Sequence, residues 1–365
     1  MGRCIGMKKF YASISDKKQK RKQDLWIGKP LFLLFTAIII CSVFISSCYG
    51  AEQSSSGSVS FTDGSGKLIT LEKPASRIVS LNSDATEMLV ALKANNKIVG
   101  VTDTTMKNQQ LSPFLTDAKS VGTWDAPNVE RILALKPDAI MTYSSYRLKN
   151  ADKFERSGIQ MIALDCNKLS TITSDADSIG KLTGNTKEAE SYIKYANGQI
   201  SSINKLVGDL KGTRVYVEGY SSYSAQGATS SIGNMVKTAN GENIAGDQDK
   251  TYMKVTPEWV IKENPDVILK VTPDPLPEGK TLQDYQKEVI SRTALSEVSA
   301  VKNGKVYALS GKLVLGPRAP AGLSYVAGAL HPEIVTETDI KAPLNQYAAE
   351  FVSGTNAGDQ IEPFP

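Results

Sequence analysis

Few side chains in this sequence are placed for covalent chemistry. His331 is the one histidine in 365 residues, and alone it builds neither a catalytic triad nor a histidine-rich metal site. It stands before Pro332 at the close of an apolar run, which predicts a helix end; an axial role toward a haem is the alternative. Of the four cysteines, Cys4, Cys41 and Cys48 lie near the start, leaving Cys166 as a lone thiol with no disulfide partner. Its position after the apolar run Gln160–Leu164 predicts a small buried residue rather than a reactive nucleophile. No G-x-S-x-G is present and no G-x-G-x-x-G follows a predicted strand. The fragment Glu278-Gly279-Lys280-Thr281 lacks the first glycine of a phosphate loop. These patterns argue against an enzyme, a catalytic residue set and a metal site. Two carboxylates, Glu130 and Glu258, stand out for a different reason: they occupy the same place in two segments that repeat.

The first segment, NVERILALKPDAIM (Asn128–Met141), returns 128 positions later as TPEWVIKENPDVIL (Thr256–Leu269). Glu130 matches Glu258, Pro137 matches Pro265 and Asp138 matches Asp266. Each copy predicts a helix of about two turns, a Pro-Asp turn and a short buried strand. Proline disfavours helix in the preceding residue, so Lys136 and Asn264 are the expected helix ends. Two copies predict two α/β lobes built alike. A glutamate in the first turn of each helix also offsets the positive helix end.

The elements around these copies follow the same plan. Val59–Leu71 predicts a hairpin turning at Asp63–Gly66. Arg77–Leu81 is a buried strand, Thr86–Leu92 a helix and Lys97–Val101 the next strand, a right-handed parallel unit. Ser174–Leu182 predicts a helix closed by Gly184. From Thr186, a capping residue, apolar positions then step by 3 or 4 to Leu210, with Gly212 just beyond. That reads as one rigid helix of about 25 residues, roughly 37 Å long, joining the lobes. In the second lobe, Thr213–Glu218 answers the first strand. Ser231–Ala239 and Asn243–Ala245 answer the helix and strand after it. Ser299–Leu309 gives a turn at Asn303-Gly304 and a strand, and Leu323–Leu330 and Leu344–Val352 are closing helices.

Charge separates the start of the chain from the rest. Residues 1–30 hold nine Lys/Arg against Asp16 and Asp24. Removing these from the chain's 42 Lys/Arg and 38 Asp/Glu leaves 33 against 36, so the net +4 belongs to the leader and is no argument for nucleic acid. Leu31–Ile45 is an uncharged apolar run of signal-peptide length. It ends in Ile45-Ser46-Ser47-Cys48, which resembles a lipobox and predicts a lipidated Cys48. An uncleaved anchor over residues 31–51 is the alternative. Either places the folded part outside the cytoplasm, tethered to the cell membrane. The segments are therefore a signal peptide (1–47), a lipidated tether (48–58), a first lobe (59–173) and a helical linker (174–211). A second lobe (212–340) and a terminal helix and tail (341–365) follow.

The stretches RIVSLNSDATEMLVALKANNKIVGVTD, VGTWDAPNVERILALKPDAIM, AVKNGKVYAL and GLSYVAGALHPE together resemble the substrate-binding proteins that capture iron-siderophores, haem or vitamin B12 for ABC importers. The resemblance runs from about Val59 to Ile334. It implies an α/β fold of two Rossmann-like lobes joined by one long rigid helix, with the ligand in the cleft between them. It implies no enzyme and no resident cofactor, a monomer, and as partners a permease with its ATPase. Loops after the strands then line the cleft. The candidates for ligand contact are Asn82, Trp124, Tyr143, Tyr146, Arg147, Tyr220, Tyr223, Tyr252 and Arg318: aromatic faces for stacking and cations for an anionic chelate. A ferric siderophore is the expected ligand, with a corrinoid or haem as alternatives. The resemblance also implies that Glu130 and Glu258, one per lobe, dock the permease, with Glu87 as the next candidate. A surface sensor or adhesion module that kept the fold is the reading from another class.

Overall fold

The computed structural model describes residues 57–274 and 276–352, which belong to one compact unit. The apolar run Leu31–Ile45, Cys48 and the tail Ser353–Pro365 lie outside the described residues.

The described chain opens with an antiparallel hairpin, β1 (Val59–Thr62) and β2 (Leu68–Leu71). Asp63 makes its turn. One carboxylate oxygen accepts from the backbone of Ser65 and Lys67, the other from the backbone of Ala163 at 3.0 Å. The turn residue thus also pins the hairpin to the first lobe.

That lobe is a parallel sheet in the order β5-β4-β3-β6-β7. The strands are β3 (Ile78–Ser80), β4 (Ile98–Val101), β5 (Lys119–Ser120), β6 (Ala139–Thr142) and β7 (Gln160–Ala163). Successive residues face opposite sides, so Ile78, Ala139 and Met141 enter a central core while Val79 and Ile140 enter an outer one. Both faces are covered, which is why these strands read as continuous apolar runs.

The second lobe repeats this order. Its parallel strands run β10 (Gly241–Asn243), β8 (Thr213–Glu218), β12 (Val267–Thr272), β13 (Val306–Ser310), matching β4-β3-β6-β7. Two antiparallel strands, β9 (Ser224–Gln226) and β11 (Tyr252–Lys254), extend it past the end of β8. The internal repeat does not predict them, because they have no counterpart in the first lobe.

The repeated segments form the helices Val129–Ala134 and Pro257–Glu263, capped by the side chains of Asn128 and Thr256. Lys136 and Asn264 both take left-handed backbone, at φ 46° and 43°, just before the prolines. Asp138 then accepts from the backbone N–H groups of Ser76 and Arg77 at 2.7 and 2.9 Å, and Asp266 from that of Arg214 at 3.3 Å. The guanidinium groups of Arg77 and Arg214 donate to the carbonyls of Leu135 and Glu263 where those helices end. The same tie of helix, turn and strand is therefore built twice.

Between the lobes run the helices Ile172–Thr183 and Thr186–Val207, separated by Gly184 in left-handed backbone. The second has 22 residues, about 33 Å at 1.5 Å per residue. It is shorter than the apolar stripe predicts, because the chain leaves the helix at Gly208 and turns before Leu210. Thr186 is its first residue rather than its cap. Asn185 precedes it and donates instead to the carbonyl of Leu92 at 3.0 Å. The closing helices, Ala319–Leu330 and Glu337–Phe351, begin earlier than expected. Pro320 suits a first helical turn, and Thr336 with Asp339 forms a capping box. Tyr192 and Tyr195 pack their rings on Phe351 and Tyr347 of the last helix. One apolar cluster runs from the first lobe through this bundle into the second. A continuous apolar joint of that kind resists hinge motion.

Candidate functional site

The ends of the parallel strands open on a cleft of about 590 Å³ between the lobes. The first lobe lines it with Ser83, Asp84 and Glu87 from the helix Ser83–Ala91, Tyr143 after β6, and Asp165, Asn167 and Lys168 after β7. The second lobe brings Tyr220 and Ser221 after β8, Gln226 and Tyr252 from β9 and β11, Asp274 after β12, and Arg318.

Of the nine residues expected to contact ligand, Tyr143, Tyr220, Tyr252 and Arg318 line this cleft. Asn82 does not. It is fully buried, its amide oxygen caps the helix Ser83–Ala91, and its amide nitrogen donates to the carbonyls of Leu164 and Asp165. Its hydrogen bonds fix the backbone at Asp84 and Asp165, which line the cleft. Arg147 is exposed outside the cleft, paired with Asp152 and Glu155. The Tyr146 hydroxyl donates to the carbonyl of Asp125. Tyr223 lies under the Arg292 guanidinium, 4.8 Å from its ring centre. Trp124, 45% exposed, stands edge-on to Tyr143 and Tyr146 with ring centres 5.8 and 5.0 Å away. It therefore joins the rim through Tyr143. Trp124 and Tyr252 also differ by the repeat interval of 128, each six positions before Glu130 or Glu258.

The lining is more acidic than expected. Among the described residues, Asp84, Glu87, Asp165 and Asp274 stand against Lys168 and Arg318. Both of those cations are engaged. Lys168 pairs with Asp165 at 3.2 Å. Arg318 is buried and meets Glu87 at 2.7 Å through Nε and 2.8 Å through a terminal nitrogen, and donates to Gln110 at 2.8 Å. Burial raises the Asp84 carboxyl, and the charge of Glu87 adds to it, to about 7. Asp165 is held below the usual range despite burial, because Ser144 donates to it twice. Burial, with Asp84 nearby, also pushes the Tyr143 hydroxyl up.

The acidic residues had one legible signal: Asp84 sits in NSDATE, directly after a strand. Lys168 and Asn167 had none, because their loop carries no motif. Glu87 is buried in the ion pair with Arg318 and is not available as a docking carboxylate. Glu130 and Glu258 are exposed in the first turns of the repeated helices. Hydrogen bonds from its own backbone N–H and from Thr256 hold the Glu258 carboxyl below its ordinary value. His331 is buried at a helix end against the carbonyl of Ala239 and does not line the cleft, so it offers no axial ligand there. Cys166 is fully buried, and burial pushes its thiol up. Thr281, at the end of the phosphate-loop-like fragment, is a helix cap.

A family profile described as periplasmic binding protein matches residues 78–313. The chain belongs to that family. An ABC transporter substrate-binding lipoprotein of Bacillus subtilis, YvrC, is 26% identical over 83% of this chain and 98% of its own length. A cobalamin-binding protein of Halobacterium salinarum is 26% identical over 77% of this chain and 76% of its own. Among solved structures, the molybdate-bound periplasmic protein MolA of Haemophilus influenzae superposes with a TM-score of 0.68 at 21% identity, over 80% of this chain and 97% of its own. Helicobacter pylori CeuE superposes with a TM-score of 0.67 at 22% identity, over 82% and 97%. At these identities the structural likeness speaks to the fold, two lobes joined by a long helix. The periplasmic binding protein family comprises transport proteins rather than enzymes, and this member is the substrate-binding component of an ABC importer.

Proposed function

We propose that this binding protein captures a bulky metal chelate carrying no excess negative charge and delivers it to its permease. One observation carries the reading. Aromatic side chains face the cleft from both lobes, Tyr143 with Trp124 beside it from the first and Tyr220 and Tyr252 from the second, and both cations of the described lining are already paired. Aromatic faces on both lobes suit a large ligand held from two sides. Among the described residues, both lining cations are neutralised by carboxylates, which argues against a polyanionic catecholate. Hydroxyl and amide groups such as Asn108, Asn167, Gln226 and Thr229 suit a ligand rimmed with amides or hydroxamates. A corrinoid is the first candidate and a ferric hydroxamate siderophore the second. The Halobacterium relative named for cobalamin supports that order. Titration by tryptophan fluorescence with cyanocobalamin, a ferric hydroxamate, a ferric catecholate and haemin tests it. One of the first two should bind at least about tenfold more tightly than the catecholate, a difference of 1.4 kcal/mol. A catecholate that binds tightest overturns the charge argument.

Delivery rests on Glu130 and Glu258 meeting cationic patches of a two-fold permease, and on anchoring by lipid at Cys48. The anchor is supported by the lipobox-like ISSC and by the lipoprotein name of the Bacillus relative. Cys48→Ala should leave unprocessed precursor that takes up no fatty-acid label. Normal processing and labelling of that variant would favour an uncleaved anchor.

A further inference from the structure

The second lobe buries a charged cluster that the first lobe does without. Glu218, at the end of β8, is fully buried, and Lys270, within β12, is 1% exposed. A lysine so placed is costly unless every donor is used. Here each is: the ammonium donates to Glu218 at 3.0 Å and to the carbonyls of Gly219 and Tyr220 at 2.7 and 3.1 Å. Arg292 grips the same carboxylate through two nitrogens, at 2.8 and 2.9 Å, reaches the Ser222 hydroxyl at 3.1 Å and covers the Tyr223 ring. Glu218 also accepts from the backbone N–H of Tyr223 at 2.9 Å. The cluster thus holds four residues of the loop Gly219–Tyr223.

The internal repeat shows what the fold itself needs. Aligning Arg214 with Arg77 and Ile268 with Ile140 places Leu81 opposite Glu218 and Thr142 opposite Lys270. The first lobe makes the same strands with uncharged residues there. Replacing a buried ion pair with apolar groups is often neutral for stability, so folding alone does not account for the cluster. What differs is the loop that follows: Gly219–Tyr223 puts Tyr220 and Ser221 in the cleft wall.

We propose that Lys270, with Glu218 and Arg292, is a positioning residue for ligand capture, holding the Gly219–Tyr223 loop so that Tyr220 meets the ligand. This rests on the cleft being the ligand site, and the test has one arm that does not. In Lys270→Met, Glu218 keeps Arg292 and Tyr223 as partners, so the variant should fold. A second variant, Glu218→Leu with Lys270→Thr, copies the first lobe if it does not. Amide exchange of peptides spanning residues 219–226 should speed at least about tenfold in either variant, as local opening of a loop requires, while the first lobe is unchanged. Unchanged exchange overturns the proposal whatever the ligand. The other arm uses cyanocobalamin and a ferric hydroxamate as probes. Lys270→Met should weaken the bound probe about tenfold, as should Tyr220→Ala, and the double variant should be no weaker than Tyr220→Ala alone. Losses that multiply would mean that Lys270 does not act through Tyr220. If neither probe binds the unmodified protein while exchange responds as stated, the ligand reading fails and the loop tie stands.

Discussion

Single side chains decide how this cleft meets charge. Asp84 binds a proton more tightly when folded than when unfolded, its carboxyl raised from the usual 3.8 to about 7. The native state therefore holds the extra proton between those values, and stability falls as pH rises through that window. Asp84→Asn should remove this slope. Thermal melts at pH 5 and pH 8 should show a smaller difference for the variant than for the parent, with the gain at pH 8. An unchanged slope would place the titration elsewhere. Trp124 poses a different question, since its ring stands edge-on to Tyr143 of the lining. Trp124→Ala should leave the melting temperature nearly unchanged and weaken the bound chelate by about 1–3 kcal/mol if the ring is a contact. Calorimetric titration of Trp124→Ala, Tyr143→Phe and the double variant separates a direct contact, whose losses add, from an effect passed through Tyr143, whose losses do not.

At the level of elements, the repeated helix, turn and strand explain both the scaffold and the docking proposal. Asp138 is the fastener of the first copy, accepting three hydrogen bonds from Ser76 and Arg77. Asp138→Ala should destabilise the protein by about 1–3 kcal/mol, because a turn and a strand start lose their acceptor together. Urea unfolding measures it. The same repeat sets Glu130 and Glu258 on equivalent exposed helix starts. Replacing both with Lys should leave chelate affinity unchanged and lower stability only slightly, by about 0.3–1 kcal/mol per helix start, while abolishing stimulation of the importer's ATPase in proteoliposomes. Normal stimulation would remove these glutamates from the interface.

For the whole molecule, the decisive feature is the joint beneath the cleft. Glu87 of the first lobe, Arg318 of the second and Tyr347 of the last helix form one buried network, with the Tyr347 hydroxyl 3.0 Å from the Glu87 carboxylate. The Tyr192 hydroxyl of the long helix donates to the carbonyl of Pro317 at 2.8 Å. Four parts of the chain meet there, in contact with the apolar core common to both lobes. Removing one partner leaves an uncompensated buried charge, so Arg318→Met should cost about 3–5 kcal/mol. Adding Glu87→Gln should recover part of that loss. Denaturant unfolding of the two variants checks both statements, and strictly additive losses would show that the charges do not act as a pair.

Local pattern is enough to read much of this fold from its residues. The proline-terminated helices, most of the buried strands and the hairpin at Asp63 follow from local signals and lie close to where the spacing placed them, although the strand expected at Asn243–Ala245 forms at Gly241–Asn243. The equivalence of Glu130 and Glu258 was legible from the repeat, whereas their exposure is read from the structure, since Asp84 in another capped first turn is half-buried. The lining of the cleft depends instead on contacts between residues far apart in the chain. Asn82 and Tyr223 follow strand ends as ligand contacts should, yet both side chains turn to partners within the chain. Glu87 reads as a surface charge on a helix until Arg318, 231 positions away, is seen to bury it. Lys168 and Asn167 enter the wall from a loop with no pattern. Burial and pairing depend on which distant residues fold together, and no spacing within one segment carries that information.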